Sequence, residues 1–395
     1  MKISTRCVQL GTANDIHGAI VPPIYQTATF EQPTATEFGD FDYTRSGNPT
    51  RTLVEEQLAN LEDGKFACAF ASGMAALTAL TRIVKAGDEI VAGAELYGGT
   101  VRLLERIVAS QGITVLYADT SNADSVRRIV TNRTRLILVE TPSNPTFRIC
   151  DIAKLSSIAH EVGALLAIDN SMLSPVFQRP LNHGADIVIH SATKFLSGHS
   201  DVTAGAVITN DPKVHELISF QQNAEGAGLS PFESWLLLRG LKTLSLRVRH
   251  QNESAKKVAT FLESQSLVTK VFYPGLESNP GFDVHRKQST GDGAVVSFTT
   301  GDPIVSARIA EATQLFRIAV SFGSVGSTIS LPCRMSHASI PLALRNRLGP
   351  PEDLVRLSVG IEDVDDLIAD LSQAFASAGF ANDDFEHEAV LAASV

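Results

Sequence analysis

Ala185-Asp186-Ile187-Val188-Ile189-His190 runs directly into Ser191-Ala192-Thr193-Lys194-Phe195-Leu196-Ser197-Gly198-His199-Ser200-Asp201. The first six residues read as a short buried strand, because an apolar run bounded by turn residues takes that form in covered sheets. Lys194 then stands just past the strand end, framed by Ser, Thr and Gly. A lysine so placed can form a Schiff base with an aldehyde cofactor whose ring stores the electrons of a substrate carbanion. The position equally fits a surface lysine at a strand end, and the segment alone does not separate the two.

Outward from this segment, strand-like and helix-like stretches alternate from about residue 47. Lys65–Ala71, Glu89–Ala94, Ile113–Ala118, Leu136–Val139 and Leu165–Asp169 read as strands. Gly73–Lys85, Gly99–Ser110 and Ile152–Val162 read as helices between them. Such alternation predicts an α/β architecture, a mostly parallel sheet covered on both faces. Pro231–Glu263 reads as one long helix. Beyond it, strands near Val271–Tyr273, Gly293–Thr299, Ile318–Phe322 and Val355–Gly360 mix with helices near Val305–Gln314 and Asp363–Phe375, predicting a smaller α+β domain. Residues 1–46 carry Pro22, Pro23 and Pro33 and little helical periodicity. That arm cannot bury a core alone and is expected to pack elsewhere, on its own chain or another subunit. The expected division is an arm 1–46, a large domain 47–240 and a smaller one 241–395, with a mobile acidic tail from 382.

Composition narrows the partners. The formal net charge is −10 and no Lys/Arg cluster is apparent, which argues against nucleic acid. No apolar run reaches the ~18 residues that span a bilayer. Cys7, Cys68, Cys150 and Cys333 lie far apart with no metal-ligand spacing. The N-terminus shows neither a signal core nor a transit pattern, so a cytoplasmic, reducing setting is expected. His190, His199 and His337 have no linking ligand spacing and read as structural or supporting, with no metal expected.

Pyridoxal phosphate (PLP) is the aldehyde cofactor that other segments suit. Asp169 ends the strand Leu165–Asp169, where the carboxyl ends of parallel strands open onto a ligand crevice. Beside a pyridine nitrogen it would favour the protonated ring; it would also serve as a helix N-cap. Ser72-Gly73-Met74 follows a strand and opens a helix, offering N–H groups to a phosphate, or simply an N-cap. Ser191 and Thr193 could add hydroxyl donors. Tyr43-Thr44-Arg45-Ser46-Gly47-Asn48-Pro49-Thr50 provides an Arg fork suited to phosphate, or a polar turn. Tyr97 could stack on the ring or pack in the core. Arg356, in an apolar strand, needs an anionic partner: a substrate carboxylate or a structural acid.

Taken together, Asp186–Lys194, Tyr43–Thr50, Ser72–Met74, Glu140-Thr141-Pro142-Ser143-Asn144-Pro145 and Arg356–Asp363 resemble, in order, the Cys/Met-metabolism family of PLP enzymes. The likeness runs from about residue 4 to 378. It implies PLP-dependent transferase fold type I, the aspartate-aminotransferase-like fold, with a large seven-stranded-type sheet. It also implies roles. Lys194 is the Schiff-base lysine and proton shuttle, Asp169 the ring-nitrogen partner, and Tyr97 the stacking tyrosine. Gly73, Met74, Ser191 and Thr193 bind phosphate. Tyr43 and Arg45 reach a neighbouring subunit's cofactor, making the protein at least a dimer, as a rule a homotetramer. Arg356 clamps the substrate α-carboxylate, with Ser321 and Asn144 beside it. Lys194 or a tyrosine, Tyr97 or Tyr43, assists the leaving group.

Within the family, Asp42–Arg51, Asn223–Gly240, Val320–Val325, Met335–Pro341 and Gly360–Leu367 are similar to plant-type cystathionine β-lyases. γ-Synthases of the family often carry Glu where Val320 stands, and methionine γ-lyases carry Cys where Gly99 stands. The resemblance therefore implies β-elimination of cystathionine, cystine or another cysteine thioether to thiol, pyruvate and ammonia. A γ-acting member, whether γ-lyase, γ-synthase or O-acylhomoserine sulfhydrylase, is the alternative. A regulatory protein without turnover is more remote, since the residues needed for chemistry are present.

Overall fold

A computed structural model describes residues 1–9, 17–335 and 349–392, with side chains up to residue 379. The stretch 336–341 of the Met335–Pro341 motif, His337 included, lies outside the described residues.

Seven strands form the larger sheet: β1 (Phe66–Phe70), β2 (Glu89–Gly93), β3 (Thr114–Ala118), β4 (Thr134–Glu140), β5 (Leu165–Asp169), β6 (Ile187–His190) and β7 (Gly205–Thr209). Their spatial order is β1-β7-β6-β5-β4-β2-β3. The neighbours from β6 to β3 are all parallel, and only β7 pairs antiparallel, with β6 and with β1. Leu, Ile, Val and Ala fill the interior of β4, β5 and β6 because helices cover both faces. The parallel register sets Glu140 beside Asp169, and Asp169 beside Ile189. The strands thus deliver their first polar residues to one edge, where α/β sheets bind ligands.

The smaller sheet holds β8 (Lys270–Phe272), β9 (Val295–Thr299), β10 (Arg317–Ile318), β11 (Thr328–Ser330) and β12 (Val355–Ser358), in the order β10-β11-β12-β9-β8. One apolar cluster runs through both sheets, from Val188 and Ala204 to Val296 and Leu357. Arg356 is therefore carried on a strand whose Leu357 side packs into the shared core.

Four features differ from the sequence expectations. The stretch read as one long helix is two, Pro231–Lys242 and Leu244–Glu263, broken at Thr243. Buried Arg247 explains the break: its guanidinium donates to Gly240 O at 2.9 Å, and also to Phe195 O and Leu196 O. It satisfies the helix-end carbonyl and ties the second helix to the loop after Lys194. In the arm, Ile3–Val8 is helical, anchored by Ser4 to Ser245 and by Gln57 to the Arg6 carbonyl. Six residues are too few to show a period, and tertiary contacts hold them. The strand read over Ile318–Phe322 stops at Ile318, because Ser321 takes φ +82° and cannot continue it. Finally, the helix Val364–Ala392 carries helical backbone into the segment read as a tail. Among the described residues no helix is long and apolar enough to cross a membrane.

Candidate active site

A cavity of about 470 Å³ opens at the carboxyl edge of β4, β5 and β6. Lys194, Asp169, Tyr97, Gly73, Met74, Ser191, Thr193, Asn144, Ser321 and Arg356 all line it. Tyr43 and Arg45 do not; they line a separate cavity of about 390 Å³ near Gly226 and Ser230.

Lys194 is the centre of this cavity's electrostatics. Its Nζ donates to Ser321 Oγ and stands 4.9 Å from the Phe322 ring centroid. Burial and the nearby Arg356 guanidinium lower its pKa to about 8, against the opposing pull of Asp169. The amine is thus neutral far more often than an exposed lysine. Asp169 is raised, chiefly by burial, while bonds from Ser171 and the charges of His190 and Lys194 pull it back. A cation brought to its free face would restore the anion.

Arg356 is 2% exposed and charged at neutral pH, though burial lowers it to about 10. It donates to Asn144 Oδ1 at 2.8 Å and to Ser321 O at 2.9 Å, while Nε has no partner. Its closest described partners are thus neutral oxygens, although Glu140 acts on it through charge. A buried guanidinium left short of an anion is ready for a carboxylate. Ser321 serves both cations at once, and its positive φ marks strain held by these contacts.

Ser72 caps the helix Gly73–Thr81 by accepting from Ala75 N at 3.1 Å, which is the N-cap reading of this turn. A Cβ on Gly73 would meet Ser191 Cβ at 3.0 Å, and one on Gly205 would meet Ser72 O at 2.2 Å. Two glycines thereby let the helix start, the Ser191 turn and β7 approach closely at the cavity wall. The Thr193 hydroxyl is already engaged, bonding Ala204 O and Ala204 N. Gly99 has a related purpose: a Cβ there would meet the Tyr97 ring at 2.5 Å. These features fit PLP: a lysine of lowered pKa, a buried acid at a strand end, a tyrosine and a helix start all line one cavity.

Sequence reasoning gave no role to Glu140, Ser171 or Arg102. Glu140 lines the cavity, accepts from Tyr97 N at 3.3 Å, and is held well above the usual carboxylate range by burial and by Asp169. Its signal was its place at the end of a buried strand, in step with Asp169. Arg102 lines the mouth from an exposed helical position, and nothing local distinguishes it from other surface arginines.

The chain is similar to known proteins along almost its whole length. The family model described as Cys/Met metabolism PLP-dependent enzyme matches residues 4–376. Cystathionine beta-lyase of Arabidopsis thaliana, a chloroplastic protein, is 52% identical over 373 residues, covering 94% of this chain and 80% of that protein. Cystathionine gamma-lyase of Bacillus subtilis is 42% identical over 375 residues, 95% of this chain and 99% of that one. The structure of cystathionine gamma-lyase from Lactobacillus plantarum complexed with L-serine superposes with TM-score 0.93 at 42% identity, covering 96% of this chain and all of that one.

Proposed function

Because the chain belongs to the Cys/Met metabolism PLP-dependent enzyme family, we propose that it is a carbon–sulfur lyase cleaving the Cβ–S bond of cystathionine or a related cysteine thioether. The products are a thiol, pyruvate and ammonia, with one water consumed. One observation carries this reading: half-buried Lys194 shares a cavity with Asp169 and with the carboxylate-ready Arg356.

When bound, PLP supplies a ring that takes up the electron pair left at the substrate Cα. Gly73 and Met74 at the helix start, with Ser191 and Thr193, would hold its phosphate; Asp169 would pair with its ring nitrogen and Tyr97 would stack on the ring. Arg356 grips the substrate α-carboxylate, assisted by Asn144 and Ser321. Lys194, its pKa lowered by burial, accepts the Cα proton and can pass it to the departing sulfur. Tyr97, or Tyr43 from a neighbouring subunit, is the second candidate donor. Arg102 at the mouth suits a second carboxylate, as a thioether joining two amino acids would carry.

β-Elimination needs one carbanion, at Cα. Val320, 60% exposed at the mouth, places no acid or base there for the second deprotonation that Cγ chemistry requires. The 42%-identical γ-lyase keeps the γ reading as the alternative. We place the active unit as an oligomer, at least a dimer and by family resemblance a homotetramer. Tyr43 and Arg45 point to it, since they sit apart from their own chain's cavity. All four cysteines are free and buried, as a cytoplasmic protein would have them.

The test is to give cystathionine to the PLP-loaded protein and identify the keto acid. Pyruvate with homocysteine is expected. 2-Oxobutyrate with cysteine would transfer the assignment to γ-lyase. Lys194→Ala should abolish turnover, and wild-type activity in that variant would overturn the mechanism.

A further inference from the structure

On the face of the larger sheet away from Ile189 and the Gly73 helix, a second set of buried polar residues supports the same three strand ends. Glu62 follows the helix Pro49–Leu61, and His190 ends β6; both are 1% exposed as side chains. His190 Nε2 lies 2.5 Å from Glu62 Oε1. Asn170, which follows Asp169, donates from Nδ2 to the same Glu62 oxygen at 2.9 Å and to Gln178 O at 2.8 Å. Gln178 Nε2 in turn donates to Thr141 O at 2.8 Å, next to Glu140, and to Asn170 Oδ1 at 3.2 Å. Glu62, His190, Asn170 and Gln178 are all fully or almost fully buried.

Burying so many polar groups is costly, and apolar residues would pack there at least as stably. What the network adds is definition of position. Asp169 precedes Asn170, Ser191 follows His190, and Glu140 precedes Thr141. One carboxylate oxygen, Glu62 Oε1, receives bonds from the residues flanking Asp169 and Ser191.

We propose that Glu62, bonded to His190 and Asn170, is a positioning residue that sets Asp169 and the Ser191–Lys194 turn for binding of the cofactor. Glu62 touches neither cofactor nor substrate. It acts as outer-shell residues do when they orient the groups that bind, where loss typically costs about 10- to 100-fold. The Glu62 side chain needs only its acceptor oxygen for this geometry, so an amide of the same shape should serve.

The experiment compares Glu62→Ala and Glu62→Gln with the wild type, each stripped of cofactor and titrated with PLP. Cofactor dissociation constant, visible absorption band and melting temperature of the cofactor-free protein are read together. Glu62→Ala is expected to bind PLP roughly 10-fold more weakly, with a shifted band. Glu62→Gln should recover affinity to within about 3-fold and restore the band. If Glu62→Ala does not fold, Asn170→Ala gives the same readouts with the Glu62–His190 pair intact. Wild-type affinity and band in the truncated variant, with only the melting temperature lowered, would overturn the proposal. So would a Glu62→Gln protein as impaired as Glu62→Ala. These readouts involve no thioether, so their failure is distinct from a failure of the cystathionine assignment.

Discussion

Burial lowers the affinity of both Lys194 and Arg356 for protons, and the Arg356 charge lowers that of Lys194 further. For Lys194 the consequence is measurable without substrate. Its folded pKa of about 8 lies below the ordinary lysine value of 10.5. Between those values the unfolded chain holds more protons, so the stability of the cofactor-free protein should rise with pH there. Lys194→Met should remove this slope. In the cofactor-free protein it should add on the order of 1–3 kcal/mol at pH 7, a gain that fades above pH 10. Denaturant melts at pH 7 and 10 check it. Arg356 makes a different prediction. Arg356→Lys keeps charge but loses the fork, so kcat/KM should fall roughly 10- to 100-fold, as loss of charge-assisted bonds worth about 2 kcal/mol implies.

At the scale of elements, the site is a meeting of ends: the carboxyl ends of β4, β5 and β6, the start of the helix Gly73–Thr81, and the turn before β11. Close approach is what the glycines permit. Gly73→Val would push a branched side chain into Ser191, already 3.0 Å from a Cβ. Overpacking should cost the fold about 1–3 kcal/mol and lower the melting temperature of the cofactor-free protein, and PLP affinity should drop as the turn is displaced. Titration of cofactor absorbance against calorimetry separates the two effects. Arg247 binds the loop after Lys194 to two helices, so the reactive turn is held from behind as well as by its own strand.

For the whole molecule, the arm is the segment we propose to assemble the active unit. Its tip is pinned by buried Arg51, which donates to Thr44 O and Arg45 O, and it presents Tyr43, 42% exposed, away from its own cavity. If the tip completes a neighbour's site, Arg45→Ala and Lys194→Ala subunits should complement one another. Unfolding and refolding an equal mixture should recover activity absent from either homo-oligomer, because some hybrid sites carry neither lesion. Recovery no greater than the sum of the two parents would show that each chain uses its own arm.

The sequence by itself determined the alternation that makes the larger sheet parallel, the strand that delivers Lys194, and the residues of matching chemistry at Asp169, Tyr97 and Arg356. The strands were legible from local pattern, apolar runs bounded by turn residues, whereas the roles of the site residues came from the resemblance of several ordered motifs to a family. Only the tertiary structure decided that Arg356 bonds neutral oxygens among the described residues, that Ser321 links it to Lys194, and that Glu62 reaches His190 across 128 positions of chain. It also decided that β7 runs antiparallel and that Arg247 breaks the helix at Thr243. The physical reason is range. Propensity and periodicity act over a few residues, whereas burial, pKa and the partner of a buried charge are set by groups that chain folding brings together.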